Sequence, residues 1–130
     1  MIIRPTLLIL GLIHMANGAF MLAAPMAWYA AIPGVLQTGP FNHHFIADIG
    51  LAFVASRVGM ALAIRKGGAA YALAGAIWPG LHALLHIWGW LNVGFPARTD
   101  VAVSETVGVV LVGTLGIWAA WRNAREEGAI

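Results

Sequence analysis

Five histidines, five carboxylates and no cysteine define the chemistry open to this chain of 130 residues. The absence of thiols excludes disulfides, Cys nucleophiles and iron–sulfur clusters together. His82 and His86 stand four residues apart, as do His44 and Asp48. On a helix that spacing puts each pair on one face. Two imidazoles so placed chelate a metal, with His14 and Asp48 as further ligands from other segments. Two or three His with one or two carboxylates suit Zn, Fe, Mn or Cu(II). His44 and Glu105 are then additional ligands or proton carriers. Facing helices of a bundle commonly build such sites from inward His and Glu. The Glu-x-x-His motif of di-iron carboxylate bundles is missing, so that type is not expected. The same histidines admit two other cofactors. His14 and His82 are an axial pair for haem b, and the same region suits a quinone.

Plainer roles exist for each residue. A lone intramembrane His14 hydrogen-bonds a neighbouring helix. His43 falls at the interface, where a solvated imidazole is normal. Asp48 and Glu105 lie in the first turns of their segments, where carboxylates complement the helix dipole. Arg57 is nine residues from Asp48, about half a turn round the helix, so the two do not pair. It is left to contact backbone carbonyls, a lipid headgroup or an acidic ligand.

The elements that must carry these groups follow from composition. The chain is 61% hydrophobic and 9% charged, against roughly 45–50% and 25% in ordinary soluble domains. So little charge does not cover a water-facing surface, and lipid is the expected solvent. The seven Lys and Arg form no basic stripe, which excludes a nucleic-acid partner. A membrane helix needs about 20 apolar residues. Four apolar segments of that size are present, over residues 5–24, 43–64, 69–91 and 104–121. The expected fold is all-α, one transmembrane domain built as a four-helix bundle. Arg4, Arg65, Lys66, Arg122 and Arg125 fall on one side and only Arg98 on the other. The positive-inside rule therefore makes both termini cytoplasmic in a bacterial inner membrane. Trp28, Tyr29, Phe41, Trp88, Trp90 and Phe95 form the outer aromatic belt, and Tyr71, Trp118 and Trp121 the inner one. The first segment is too long and too polar, with His14 and Asn17, to be a cleaved signal peptide.

The loop over residues 25–42 has structure of its own. Pro25 starts a short helix and Pro33-Gly34 stops it. Met26, Trp28, Tyr29 and Ile32 suit it to the interface. Trp28 and Tyr29 then belong either to an anchor or to a lid over an outward-facing cavity. Asn42 is placed to N-cap the second span. Small residues at i,i+4, such as Ala52/Ser56, Ala55/Gly59, Ala72/Ala76/Gly80 and Gly116/Ala120, permit close helix contact. Pro79 should kink the third span just before His82. Gly11-Leu12-Ile13-His14 weakly echoes Gly80-Leu81-His82, as two parallel hairpin repeats would.

Placed by a rise of about 1.5 Å per residue, His14, His82, His86, Asp48 and Glu105 occupy overlapping depths in the outer half of the bundle. Ionisable groups inside a span cost about 2.5–3.5 kcal/mol each on insertion scales, so this convergence marks a functional site. Four short helices with both ends inside resemble the DoxX-like bacterial inner-membrane proteins. The block Thr38-Gly39-Pro40-Phe41-Asn42-His43-His44-Phe45, with Asp48-Ile49-Gly50 after it, resembles a segment of proteobacterial membrane proteins of this size. The DoxX resemblance implies quinone or sulfur redox chemistry. Three functions follow as expectations. One is a metal-dependent membrane oxidoreductase acting on a small apolar or lipid-soluble substrate. Another is a haem- or quinone-binding protein. The third is an accessory subunit, in a homo-oligomer or a larger membrane complex.

Overall fold

The computed structural model describes residues 2–130 as helices and turns, with no strand among them. The helices are α1 (Ile3–Ala23), α2 (Pro25–Ala31), α3 (His43–Leu62), α4 (Ala69–Val93) and α5 (Thr99–Glu126). All but α2 are long and apolar enough to cross a membrane. The chain is thus a multi-pass membrane protein in which α1, α3, α4 and α5 run antiparallel in sequence. Glu127 meets Arg4 and the Ala69 amide, so the start of α1, the end of α5 and the 63–68 turn lie at one end of the bundle, the terminal end. α2, its following loop and the 94–98 turn lie at the other, the loop end.

The fourth span is longer than its apolar run suggests. It begins five residues before Ser104, with Asp100 in its first turn, where a carboxylate suits the exposed N–H groups. It continues past Trp121 because Asn123 and Ala124 are buried against the other helices. Within it, Ser104–Leu111 is π-helical. Such wide turns are rare and cluster at functional sites. The local sequence fits α2 as expected, with Pro25 at its first position. Asn42 caps α3 by accepting a hydrogen bond from the Phe45 amide at 3.1 Å. α4 continues through Pro79.

Glycine contacts decide how the helices pair. A Cβ on Gly18 would lie 2.6 Å from the Gly50 carbonyl oxygen, so α1 and α3 touch backbone to backbone. A Cβ on Gly113 would run into the Pro79 carbonyl and Ala83, which joins α4 to α5. These two hairpins come closest at the terminal end. There a Cβ on Gly59 would lie 2.7 Å from Gly75 Cα. The buried cluster of Ile3, Leu7, Leu10, Met60, Ala63, Ala72, Ala76, Val112, Ala119 and Ala120 sits around that crossing. In lipid, helices associate through packing rather than through expulsion of water. Small residues therefore concentrate where the contact is tight. A polar clasp reinforces this end: Glu127 accepts from Arg4 at 3.1 Å and from the Ala69 amide at 3.1 Å.

Toward the loop end the residues facing across the hairpins are large. Phe53 meets Trp78 edge to face, with ring centroids 4.7 Å apart. Beyond that contact the hairpins spread, and a cavity opens between them.

Candidate functional site

The cavity has a volume of about 790 Å³, within the usual range for small-molecule sites. Its wall is mostly apolar. Ile13 and Met21 come from α1, Phe45, Ile49 and Phe53 from α3, and Leu81 and Leu85 from α4. A minority of polar groups converge on it: His14, Asn17, His82, His86, Ser104 and Glu105.

A run of rings forms its floor and one side. His14 lies 5.6 Å from Phe53, Phe53 meets Trp78, and Trp78 lies 5.1 Å from His82. His82 and His86 follow at 5.0 Å. The i,i+4 spacing on α4 brings their Nε2 atoms to 3.1 Å, a hydrogen-bonding distance. On the far side of the His86 ring, Nδ1 lies 3.3 Å from Glu105 Oε2. The same oxygen accepts a hydrogen bond from Trp90 Nε1 at 2.7 Å. The π-helical stretch of α5 carries Glu105 to α4. The result is a line of polar atoms, Trp90–Glu105–His86–His82, that ends in the cavity wall.

His14 stands opposite on α1. It is only 2% exposed, and its Nδ1 has no hydrogen-bond partner. The expected bond to a neighbouring helix is not made. An unpaired buried nitrogen costs about 1–3 kcal/mol, and this one belongs to a side chain that lines the cavity.

The structure does not bring Asp48 to this site. Asp48 and His44 pair with each other at 3.5 Å along the outer face of α3, 57% and 89% exposed respectively. Their i,i+4 spacing is satisfied within their own helix. The expected ligand set of His14, His82, His86 and Asp48 is therefore not gathered. Among the described residues no group of three or more His, Asp or Glu is placed to hold a metal ion. The physical reason lies in the His86 ring. It presents Nε2 to His82 and Nδ1 to Glu105, on opposite edges, so the three residues form a line rather than converge on a point. His43, exposed at the start of α3, does not line the cavity.

Arg57 lies one helical turn from Phe53, against Gly11 of α1, and its Nη1 is buried without a partner. It is not among the cavity-lining residues.

The loop end is roofed by α2 and the turns after it. Trp28 Nε1 donates to Asn17 Oδ1 at 2.9 Å, and the Tyr29 hydroxyl donates to the Gly39 carbonyl. Ile32, Pro33, Gly34 and Val35 complete the roof. Gly34, at φ 94°, sits against Val101 and close to Glu105 of α5. That positive φ favours glycine, and a side chain there would press on the roof's seat. Trp28 and Tyr29 thus line the cavity as a lid would. Three lining residues, Asn17, Trp78 and Ser104, carry no sequence motif. The sequence reading did not place them in the site.

Fold and site together define a class: a helical, multi-pass membrane protein with a ligand-sized apolar cavity and a small set of convergent polar groups. No protein-family model, curated protein or solved structure matches the chain.

Proposed function

We propose that this protein binds a small, largely apolar molecule in the loop-end cavity and exchanges a proton with it through His82, His86 and Glu105. The observation that carries this reading is the line of polar atoms ending in the cavity wall at His82. In this arrangement His86 Nδ1–H donates to Glu105 Oε2. His86 Nε2 then accepts from His82 Nε2–H, which leaves a lone pair on His82 Nδ1. A hydroxyl of the bound molecule meets that lone pair, and charge developing on His82 is relayed to Glu105. This is general acid–base chemistry in a desolvated site. Carbonyl or hydroxyl oxygens on an apolar ring, as in quinones and phenols, fit the mix of lining groups. The resemblance to DoxX-like proteins points to the same ligand class. The basic residues at the terminal end orient that end to the cytoplasm of a bacterial inner membrane. The cavity then opens in the outer half.

The test is the organic extract of protein purified in mild detergent, read by mass spectrometry beside elemental analysis and a visible spectrum. The expected result is a lipid-soluble oxygenated compound near one per chain. His82→Leu should deplete it about tenfold, the equivalent of one hydrogen bond near 1.4 kcal/mol. Stoichiometric metal would overturn this reading for the metal-dependent one. A Soret band would overturn it for haem ligation by His14 and His82.

A further inference from the structure

The way into the cavity is written in which of its walls face outward. Its loop end is closed by the roof, held by the Trp28–Asn17 and Tyr29–Gly39 hydrogen bonds and seated on α5 through Gly34. Its floor is closed by Phe53 and Trp78 and by the small-residue crossing beneath them. The flank between α3 and α4 carries the most exposed of the large apolar lining side chains, with Ile13 of α1 next at 44%. Phe45, Leu81 and Leu85 line the cavity and are also 62%, 61% and 61% exposed. All three lie within helices long and apolar enough to span a bilayer. Side chains that line a cavity and face outward mark the place where it reaches the surface.

The cause is local. α3 and α4 meet backbone to backbone around Gly59 and Gly75, where a Cβ on Gly75 would lie 2.7 Å from the Ser56 carbonyl oxygen. One further step toward the loop end the facing pair is already Phe53 and Trp78. Bulky side chains hold the helices apart, and the exposed side chains Phe45, Leu81 and Leu85 that edge the gap are apolar. Water gains nothing by entering an apolar gap of this kind. Acyl chains and apolar rings, already dissolved in the bilayer, enter it without a desolvation cost.

We infer that the cavity is loaded sideways from the membrane through the gap between α3 and α4, and that its occupant is a membrane-dissolved amphiphile. Its apolar body passes Phe45, Leu81 and Leu85. Its single polar head reaches the His82–His86 pair. This rests on the proposed ligand-binding reading and adds the route and the solubility class.

The chain has no cysteine, so one introduced thiol reports one place. Ile49 lines the cavity and is half-buried. A nitroxide on Ile49→Cys, in phosphatidylethanolamine–phosphatidylglycerol vesicles, should be relaxed several-fold more by dissolved oxygen than by a neutral water-soluble nickel chelate. Val109→Cys, also in the wall, gives the same readout should the first variant fail to fold. Relaxation by the nickel chelate equal to or above that by oxygen at the folded positions would overturn lateral loading, because the cavity would then be continuous with water. That result would leave the proton line intact, since it is read separately from the labelled histidines and the His82→Leu extract.

Discussion

Glu105 is where most of the local chemistry meets. One of its oxygens serves both Trp90 Nε1 and His86 Nδ1, and an apolar residue there would leave both without an acceptor. The other wall carries His14, whose Nδ1 is buried without a hydrogen-bond partner. Between them Gly108 leaves open space. Gly108→Leu should therefore fill the cavity without disturbing the helices. The expected outcome is a thermal midpoint close to that of the parent with at least about a tenfold loss of bound ligand, or about 1.4 kcal/mol. Retention of ligand by a folded Gly108→Leu would place the ligand elsewhere. The His82–His86 pairing was legible in the sequence, because a four-residue spacing on a helix has one geometric meaning. Asp48 was misread by the same rule. Its spacing to His44 was real, but it describes an exposed pair on one helix. Periodicity states which residues share a face without stating what that face meets.

At the scale of the element, helix order and pairing rest on glycine contacts. Gly59→Val should push α3 from α4, since its Cβ alone would sit 2.7 Å from Gly75 Cα and 2.8 Å from the Tyr71 carbonyl oxygen. Overpacking of this kind costs about 1–3 kcal/mol, read as a lowered midpoint in detergent unfolding. Gly89→Ala, where a Cβ meets nothing, should instead be neutral or gain about 0.5–1 kcal/mol from helix propensity. Equal effects of the two would refute the crossing at Gly59. The clasp at the terminal end gives a second measure. Glu127→Ala removes an ion pair to Arg4 and a bond to the Ala69 amide. The expected loss is roughly 1 kcal/mol, limited by the exposure of Arg4. Three of the four spans were legible to within two residues because their apolar runs end at Gly, Pro or charge. The fourth was not, at either end. Asp100 reads as loop although it begins the helix, and buried Asn123 reads as surface. The π-helical turn that delivers Glu105 has no sequence signature, since widening a helix by one residue per turn preserves its composition.

On the scale of the whole molecule, the two ends of the bundle differ in kind. The terminal end is small-residue packing with a polar clasp, and the loop end is a cavity under a roof. Stability is therefore uneven along the helix axes. Hydrogen exchange in nanodiscs should show faster exchange for amides of residues 32–42 than for residues 59–76, the roof being held by few buried contacts. Uniform protection would contradict this division. Composition alone indicated lipid as the solvent, and the depth of the few ionisable residues indicated which half holds the site. The form of the site depends on side-chain direction, which spacing and depth do not determine. His82, His86 and Glu105 stand in a line rather than around a point because His86 faces two partners with opposite edges of one ring. That ring gives the most direct test. In protein labelled with nitrogen-15 histidine, His86 should show a protonated Nδ1 and an unprotonated Nε2, with the fixed tautomer kept in Glu105→Gln, whose amide oxygen still accepts, and lost in Glu105→Leu. A His86 that averages both tautomers, or that is indifferent to Glu105→Leu, would contradict the proton line.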